Sequence, residues 1–278
     1  MSLYQQPFFA TLLFSSLLSL ALSACNSHNS RPVYDNHDGP PSSSPDAASV
    51  PDAVPQPTTP SKYGNPKSYE VMGKRYYVMS SSKGYKERGI ASWYGSKFHG
   101  KRTSSGEPYN MHAMTAAHKT LPLPTYVKVT NLKNGRQVIL KVNDRGPFHE
   151  NRIIDLSHTA AVKLGIKPVG TGFVEVEAID AQTYSQTNST IAKPKVSNSG
   201  VSLYLQLGAF ISAQNAQQLQ HKINSAAIGQ SASISTIERQ GQQFYRVRIG
   251  PLENTEQADA LANTLNNKGF NQYRIIIE

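Results

Sequence analysis

The sequence predicts two small folded domains of different class. Residues 71–180 read as a mainly β domain closed into a barrel, and residues 201–278 as an α+β domain of order βαββαβ. Three observations carry this reading. Residues 71–180 break into short alternating runs separated by turn residues, with one or two short helices. From Val201 the apolar spacing switches between the strand and helix periods in the order of a split four-stranded sheet. Residues 25–70 and 181–200 are polar, rich in Pro, Ser, Thr and Asn, and lack periodicity, so they read as disordered linkers.

Each element has a local cause. Residues 126–130 alternate apolar and polar, Asn134-Gly135 is a hairpin signal, and residues 137–142 form the returning strand. Ser157 caps a helix over 158–164 that Gly165 ends, and residues 173–179 are a last strand. In the second domain Val201, Leu203, Leu205 and Leu207 alternate with polar neighbours as a half-buried strand. Helices are predicted over 213–223 and 255–265, and strands over 231–238, 243–250 and 273–277. Such a sheet has its helices on one face and leaves the other open.

The chain has 278 residues and a net charge of +10. Residues 71–180 hold 17 Lys and Arg against 8 Asp and Glu, a balance of +9, while residues 201–278 hold 6 against 5. The barrel domain therefore carries the basic character, and an anionic partner follows: nucleic acid, membrane surface or anionic glycan. Residues 8–24 are apolar and small and end at Leu22-Ser23-Ala24-Cys25. The run has the length of a signal-peptide core and is short for a span. Leu-Ser-Ala-Cys resembles the bacterial lipobox, which implies a signal peptide over 1–24 and lipidation of Cys25, the one cysteine of the chain. Multiple acyl chains would hold the protein on a membrane with residues 25–70 as its tether. Export removes nucleic acid from the partners.

Glu107, His118 and Asp144 are the candidates for chemistry. Glu107 follows a Ser-Ser-Gly turn, and Asp144 leaves a strand into an Arg-Gly-Pro turn. Carboxylates on loops and strand ends can converge on a barrel rim. Cleaving a glycosidic bond needs a proton donor for the leaving oxygen and stabilisation of an oxocarbenium-like state. On spacing alone Asp144 reads equally as a turn aspartate or an ion pair with Arg145, and His118 as a histidine satisfied within a sheet. No Cys cluster or His pair has metal-ligand spacing, and no cofactor is expected.

The segment from Gly89 to about Ala178 resembles the rare lipoprotein A (RlpA) family. The matching runs are Ala91-Ser92-Trp93-Tyr94-Gly95, Phe98-His99-Gly100, 103–107, 115–118, Val129-Thr130-Asn131-Leu132, Asn134-Gly135-Arg136, 143–148 and 154–157. The resemblance implies a double-psi β-barrel and a peptidoglycan lytic transglycosylase. In that lyase reaction the muramic acid's own 6-hydroxyl displaces the leaving sugar and forms a 1,6-anhydro end. One acid/base residue suffices, donating a proton and then accepting one. Asp144 matches the family's candidate, with Glu107 and His118 its other proposed essential residues. Trp93 and Tyr94 are candidate sugar-stacking residues that read equally as core.

Residues 201–278 resemble a SPOR domain through Tyr204-Leu-Gln206-Leu-Gly-Ala-Phe210 and Tyr245-Arg-Val-Arg-Ile-Gly-Pro251. The resemblance implies binding to peptidoglycan stripped of stem peptides at the division septum. Val247 and Ile249 should face the helices, which turns Arg246 and Arg248 to the open face beside Tyr204 and Gln206. Guanidinium forks suit the lactyl carboxylates that peptide removal exposes. The expected protein is thus a lipoprotein on the periplasmic side of a membrane, most simply the outer membrane, cutting peptide-free glycan at the septum. A non-catalytic, expansin-like wall-binding lipoprotein and a hydrolase are the rival readings.

Overall fold

The structure is a computed structural model that describes residues 39–41, 45–149, 151–187 and 201–278. The apolar leader, Cys25 and residues 188–200 of the second linker lie outside the described residues. A hairpin of β1 (Ser68–Val71) and β2 (Lys74–Tyr77) precedes the barrel. The barrel strands are β3 (Lys86–Tyr94), β4 (Thr115–His118), β5 (Thr125–Asn131), β6 (Gln137–Asp144), β7 (Arg152–Ser157) and β8 (Gly172–Ala178). They close in the order β3-β7-β4-β6-β5-β8. β3 with β7 and β4 with β6 are parallel, and the other pairs are antiparallel. This is the double-psi barrel that the sequence resemblance implies.

Alternation fills the barrel. Ala91, Ala116, Val129, Leu140, Ile154 and Val176 point inward and are fully buried. Helix α1 (His158–Leu164) follows β7; the Ser157 hydroxyl accepts the Ala160 N–H, and Gly165 ends the helix at φ +73°.

One break in the alternation matters more than the rest. Val138, Leu140 and Val142 of β6 face the core, so strict alternation would turn Asp144 inward too. Between β4 and β6 the register shifts: Ala116 pairs with Val142, but Ala117 pairs with Asp144. Asn143 is the extra residue, a β-bulge, and it sends Asp144 to the outer face with Ala117.

The second domain is a four-stranded antiparallel sheet of order β10-β11-β9-β12. Its elements are β9 (Leu203–Phe210), α3 (Ala213–Ser225), β10 (Ala232–Arg239), β11 (Gln242–Leu252), α4 (Thr255–Asn267) and β12 (Arg274–Ile277). Leu203, Leu205, Val247 and Ile249 form its core with Ala216 and Ile223 of α3 and Ala258 and Leu265 of α4. The expected βαββαβ order is observed.

The linker expectations need two corrections. Residues 45–67 are not a free tether; they strap the barrel. β4 pairs with β6 only from Lys141 onward, which leaves the first half of β6 without a neighbour on that side. The strap fills that edge: Ala53 N–H donates to Ile139 O (3.0 Å) and Ile139 N–H to Asp52 Oδ2 (3.0 Å). Asp52 Oδ1 also accepts Lys163 Nζ at 2.5 Å. Further on, Asn65 takes both backbone groups of Leu123, its Nδ2 donating to Leu123 O (2.7 Å) and its Oδ1 accepting Leu123 N–H (2.8 Å). Only Val50 and Ala53 of this segment pack on the barrel core, and its hold on β6 is made by polar hydrogen bonds, so sequence hydrophobicity misses it. In the second linker, residues Ala181–Thr187 form helix α2, where disorder is expected from 181.

Asp52→Ala removes one backbone partner and one ion pair. It should lower stability by about 1–2 kcal/mol in urea unfolding; a free tether would give no change.

Candidate active site

The bulge lines up four residues across four adjacent strands. Ser92 pairs with Asp155, Asp155 with Ala117, and Ala117 with Asp144. Two strand spacings separate the acids, so their Cα atoms lie about 9–10 Å apart. All four share the outer face of the barrel, where Ala117 packs with Tyr94, Tyr109 and Met111 in a separate small core.

Asp144 is half-buried and held by one oxygen. Its Oδ1 accepts Ser104 N–H (2.8 Å), Ser104 Oγ (2.6 Å) and Arg145 N–H (2.7 Å). Oδ2 takes none of these bonds. The Arg145 guanidinium turns away: Nε and Nη2 donate to Gly64 O (2.9 and 2.7 Å), Nη1 to His118 O (3.1 Å) and Leu121 O (2.6 Å), and Nη2 to Asn65 Oδ1 (3.1 Å). The ion pair with its neighbour, one of the two sequence readings of Asp144, does not form.

Glu107 acts on the loop that holds Asp144. Its Oε1 accepts Lys141 Nζ (2.5 Å) and its Oε2 accepts Asn143 Nδ2 (2.8 Å). Burial pushes its carboxyl up, but the Lys141 and Asn143 bonds and the Lys141 charge outweigh it and hold the group below the ordinary carboxylate value. Thr103 closes the turn, its N–H and its Oγ1 donating to Glu107 O (both 2.8 Å), and Ser105 N–H donates to Asn143 O (3.2 Å). The clamp fixes both the bulged residue and the 103–107 turn that presents Ser104 to Asp144.

His118 stands apart from the acids' open side. Its Nδ1 accepts the N–H groups of Thr120 (3.1 Å) and Leu121 (3.0 Å), so the neutral ring carries its proton on Nε2, facing Tyr85 Oη at 2.8 Å. Tyr85 donates onward to Glu87 Oε2 at 2.7 Å. Burial, then the charges of Arg145 and Lys119, drive the His118 pKa down to about 3. The ring orders the 118–121 turn, whose carbonyls receive Arg145.

The sequence reading passed over Asp155. Its Oδ1 accepts the Ser92 hydroxyl. Burial lifts its carboxyl above the ordinary value, and the Ser92 bond and the charges of Arg152, His149 and Lys119 only partly offset this. Gly146 packs over it: a Cβ there would lie 3.8 Å from both Asp155 Oδ2 and Ala117 Cβ. The available signal was an acid at an outward position in an otherwise apolar strand, Ile154-Asp155-Leu156. Among the described residues no three His, Cys, Asp or Glu side chains converge as a metal set.

Both aromatic candidates are packed, as one of their two sequence readings has it. Tyr94 is 8% exposed and stacks on Tyr109 at 4.0 Å, a core placement. Trp93 points to the opposite side of β3 from Ser92 and packs edge-on to His158.

In the second domain Arg248 lies over the Tyr204 ring (5.1 Å), with Gln206 paired beside it. The arginines are not free, however. Glu278 fills their fork: Arg246 Nη1 donates to Oε1 (2.8 Å), and Arg248 Nη1 and Nη2 donate to Oε2 (2.9 Å) and Oε1 (3.1 Å). Arg248, the Arg246 bond and their charges hold the Glu278 carboxyl below its ordinary value against the burial that raises it. Ser202 fixes Glu278 by a reciprocal pair of backbone bonds (2.8 and 3.0 Å).

His118 has a pH consequence. Its folded pKa lies below the unfolded one, so the unfolded chain binds the extra proton between about pH 6.5 and 3. Stability should fall as pH drops through that window, by up to about 1.4 kcal/mol per pH unit from this group alone. Urea unfolding of His118→Gln should show a correspondingly flatter acid limb than the parent.

Comparison with known proteins agrees with this architecture. A family model described as lytic transglycolase matches residues 86–178, and a SPOR-domain model matches residues 199–275. The endolytic peptidoglycan transglycosylase RlpA of Pseudomonas aeruginosa (strain UCBPP-PA14) is 38% identical over 280 residues, covering 83% of this chain and 81% of that protein. Its Vibrio cholerae counterpart is 38% identical over 255 residues, covering 91% and 92%. Among solved structures, the crystal structure of the RlpA SPOR domain from Pseudomonas aeruginosa is 27% identical and covers 27% of this chain and 96% of that one, with a TM-score of 0.25. With both domains matched in order and this identity across most of each chain, the protein belongs to the RlpA family of endolytic peptidoglycan transglycosylases.

Proposed function

We propose that this chain is a peptidoglycan lytic transglycosylase, and that Asp144 and Asp155 share its proton chemistry. The outward row of two acids carries the reading. It sets two carboxyls with unlike surroundings on one face of the barrel. Asp155, lifted by burial, holds the proton that passes to the leaving glycosidic oxygen. Asp144, cradled at Oδ1, presents Oδ2 to the 6-hydroxyl of the muramoyl residue and accepts its proton. That oxygen then closes on C1 as the glycosidic C–O bond breaks, and no water enters the balance. Glu107 and Ser104 fix Asp144 in place, and His118 fixes the turn that receives Arg145. Asp144→Asn and Asp155→Asn should each lower turnover of peptide-free glycan by at least about a hundredfold, the scale of acid–base catalysis. Mass spectrometry should find 1,6-anhydro ends from the parent. Reducing ends would instead mark a hydrolase, and intact strands a wall-binding protein.

The finer reading is a lipoprotein, anchored through Cys25 to the outer membrane, whose second domain takes it to peptide-free glycan at the septum. Tyr204, Gln206, Arg246 and Arg248 would form that binding face. Glu278 then stands where a lactyl carboxylate of the glycan would bind, and the ligand must displace it. Glu278→Gln should tighten binding to peptide-free glycan several-fold, the scale of a charge-assisted hydrogen bond. Arg246→Ala should weaken both binding and septal fluorescence of a tagged chain. Equal binding by parent and Glu278→Gln would reject the competition.

A further inference from the structure

The strap ahead of the barrel does more than seal an edge. Residues 61–65 are pinned beside the catalytic turn at several points. Ser61 N–H donates to Leu123 O (2.8 Å), Asn65 holds both backbone groups of Leu123, and Gly64 O receives two nitrogens of Arg145. Gly64 also lies directly on the turn that cradles Asp144: a Cβ on it would come within 2.7 Å of Ser104 O. Only glycine allows that approach, and its φ of +80° is one other residues avoid.

This fixed backbone presents an aromatic ring to solvent. Tyr63 is 54% exposed, although the residues around it are anchored. Its ring rests against Gly106, where a Cβ would meet Tyr63 Cδ2 at 3.3 Å. Gly106 belongs to the turn of Ser104, so the ring, the turn and Asp144 are consecutive in space. Exposed Lys62 sits with its ammonium 5.5 Å from the ring centroid. An exposed aromatic on a mobile loop would carry little meaning. One held rigid beside an acid that must face a sugar–sugar bond is pre-organised to take a sugar. Meanwhile Tyr94, one of the two aromatic candidates in the barrel, is buried.

We propose that Tyr63 and Lys62 form a glycan subsite of the barrel, in which the Tyr63 ring stacks on a pyranose face and the Lys62 ammonium pairs with the lactyl carboxylate of a peptide-free muramoyl residue. The proposal rests on the transglycosylase reading above. It adds a substrate contact contributed from outside the barrel strands, and a reason for the barrel itself to prefer glycan without stem peptides.

The test uses the full chain with purified peptide-free glycan. Tyr63→Ala should raise KM by up to about tenfold, the size of an aromatic contact, and leave kcat within about twofold. Tyr63→Trp should restore the parent KM. Lys62→Ala should raise KM on peptide-free glycan but not on glycan reduced at its lactyl carboxylates. A Tyr63→Ala variant with the parent KM overturns the platform, as does failure of Tyr63→Trp to restore it. In parallel, a peptide-free tetrasaccharide is titrated into Asp144→Asn and followed by amide NMR. Shifts at Ser104 and Gly106 should vanish in Asp144→Asn/Tyr63→Ala, and shifts that persist overturn the proposal. If the parent cuts nothing while these Tyr63-dependent shifts remain, the catalytic reading fails and the subsite stands.

Discussion

The one-residue bulge at Asn143 is the constraint on which the site depends. Without it, the alternation that packs Val138, Leu140 and Val142 into the barrel would carry Asp144 inward as well. A carboxylate there would lack both solvent and a substrate. With it, Asp144 joins Ser92, Asp155 and Ala117 in one row. Bulges lose a ladder bond and survive where something else holds the extra residue. Here Glu107 does so through Asn143 Nδ2, and Ser105 N–H does so through Asn143 O.

Glu107 and His118 therefore matter for geometry. Glu107 is tied at both oxygens and held below the ordinary carboxylate value, a poor proton donor but a firm anchor. His118 is neutral and spends both ring nitrogens on its neighbours. Each acts on Asp144 through a turn, Glu107 by way of Ser104 and His118 by way of the carbonyls that occupy Arg145. Arg145 in turn draws Gly64 and the strap onto the barrel.

The second domain obeys the same rule that a buried charge requires a partner. Arg248 is 3% exposed, and its guanidinium would be costly to bury alone. Tyr204 covers it and Glu278 neutralises it. The fork is thereby kept assembled around a carboxylate.

Much was legible in the chain itself. Strand and helix periods, the Asn134-Gly135 turn and the Ser157 and Gly165 helix ends are local, and the structure contains them within a few residues of the expected bounds. The βαββαβ order and the inward placement of Val247 and Ile249 follow from alternation alone. What sequence could not decide is what depends on two segments meeting. The bulge is a mismatch between strands that lie over twenty residues apart, and no period within either reveals it. The strap was hidden because its hold on β6 is made of polar groups, which read as solvent-loving in one dimension and become satisfied only against an open edge. Tyr94 and Trp93 looked alike by composition, and only closure of the barrel put Tyr94 in the small core on the face of the acid row and Trp93 against the barrel core. Local chemistry determined which elements form; the meeting of distant backbones determined which side chains were left facing out.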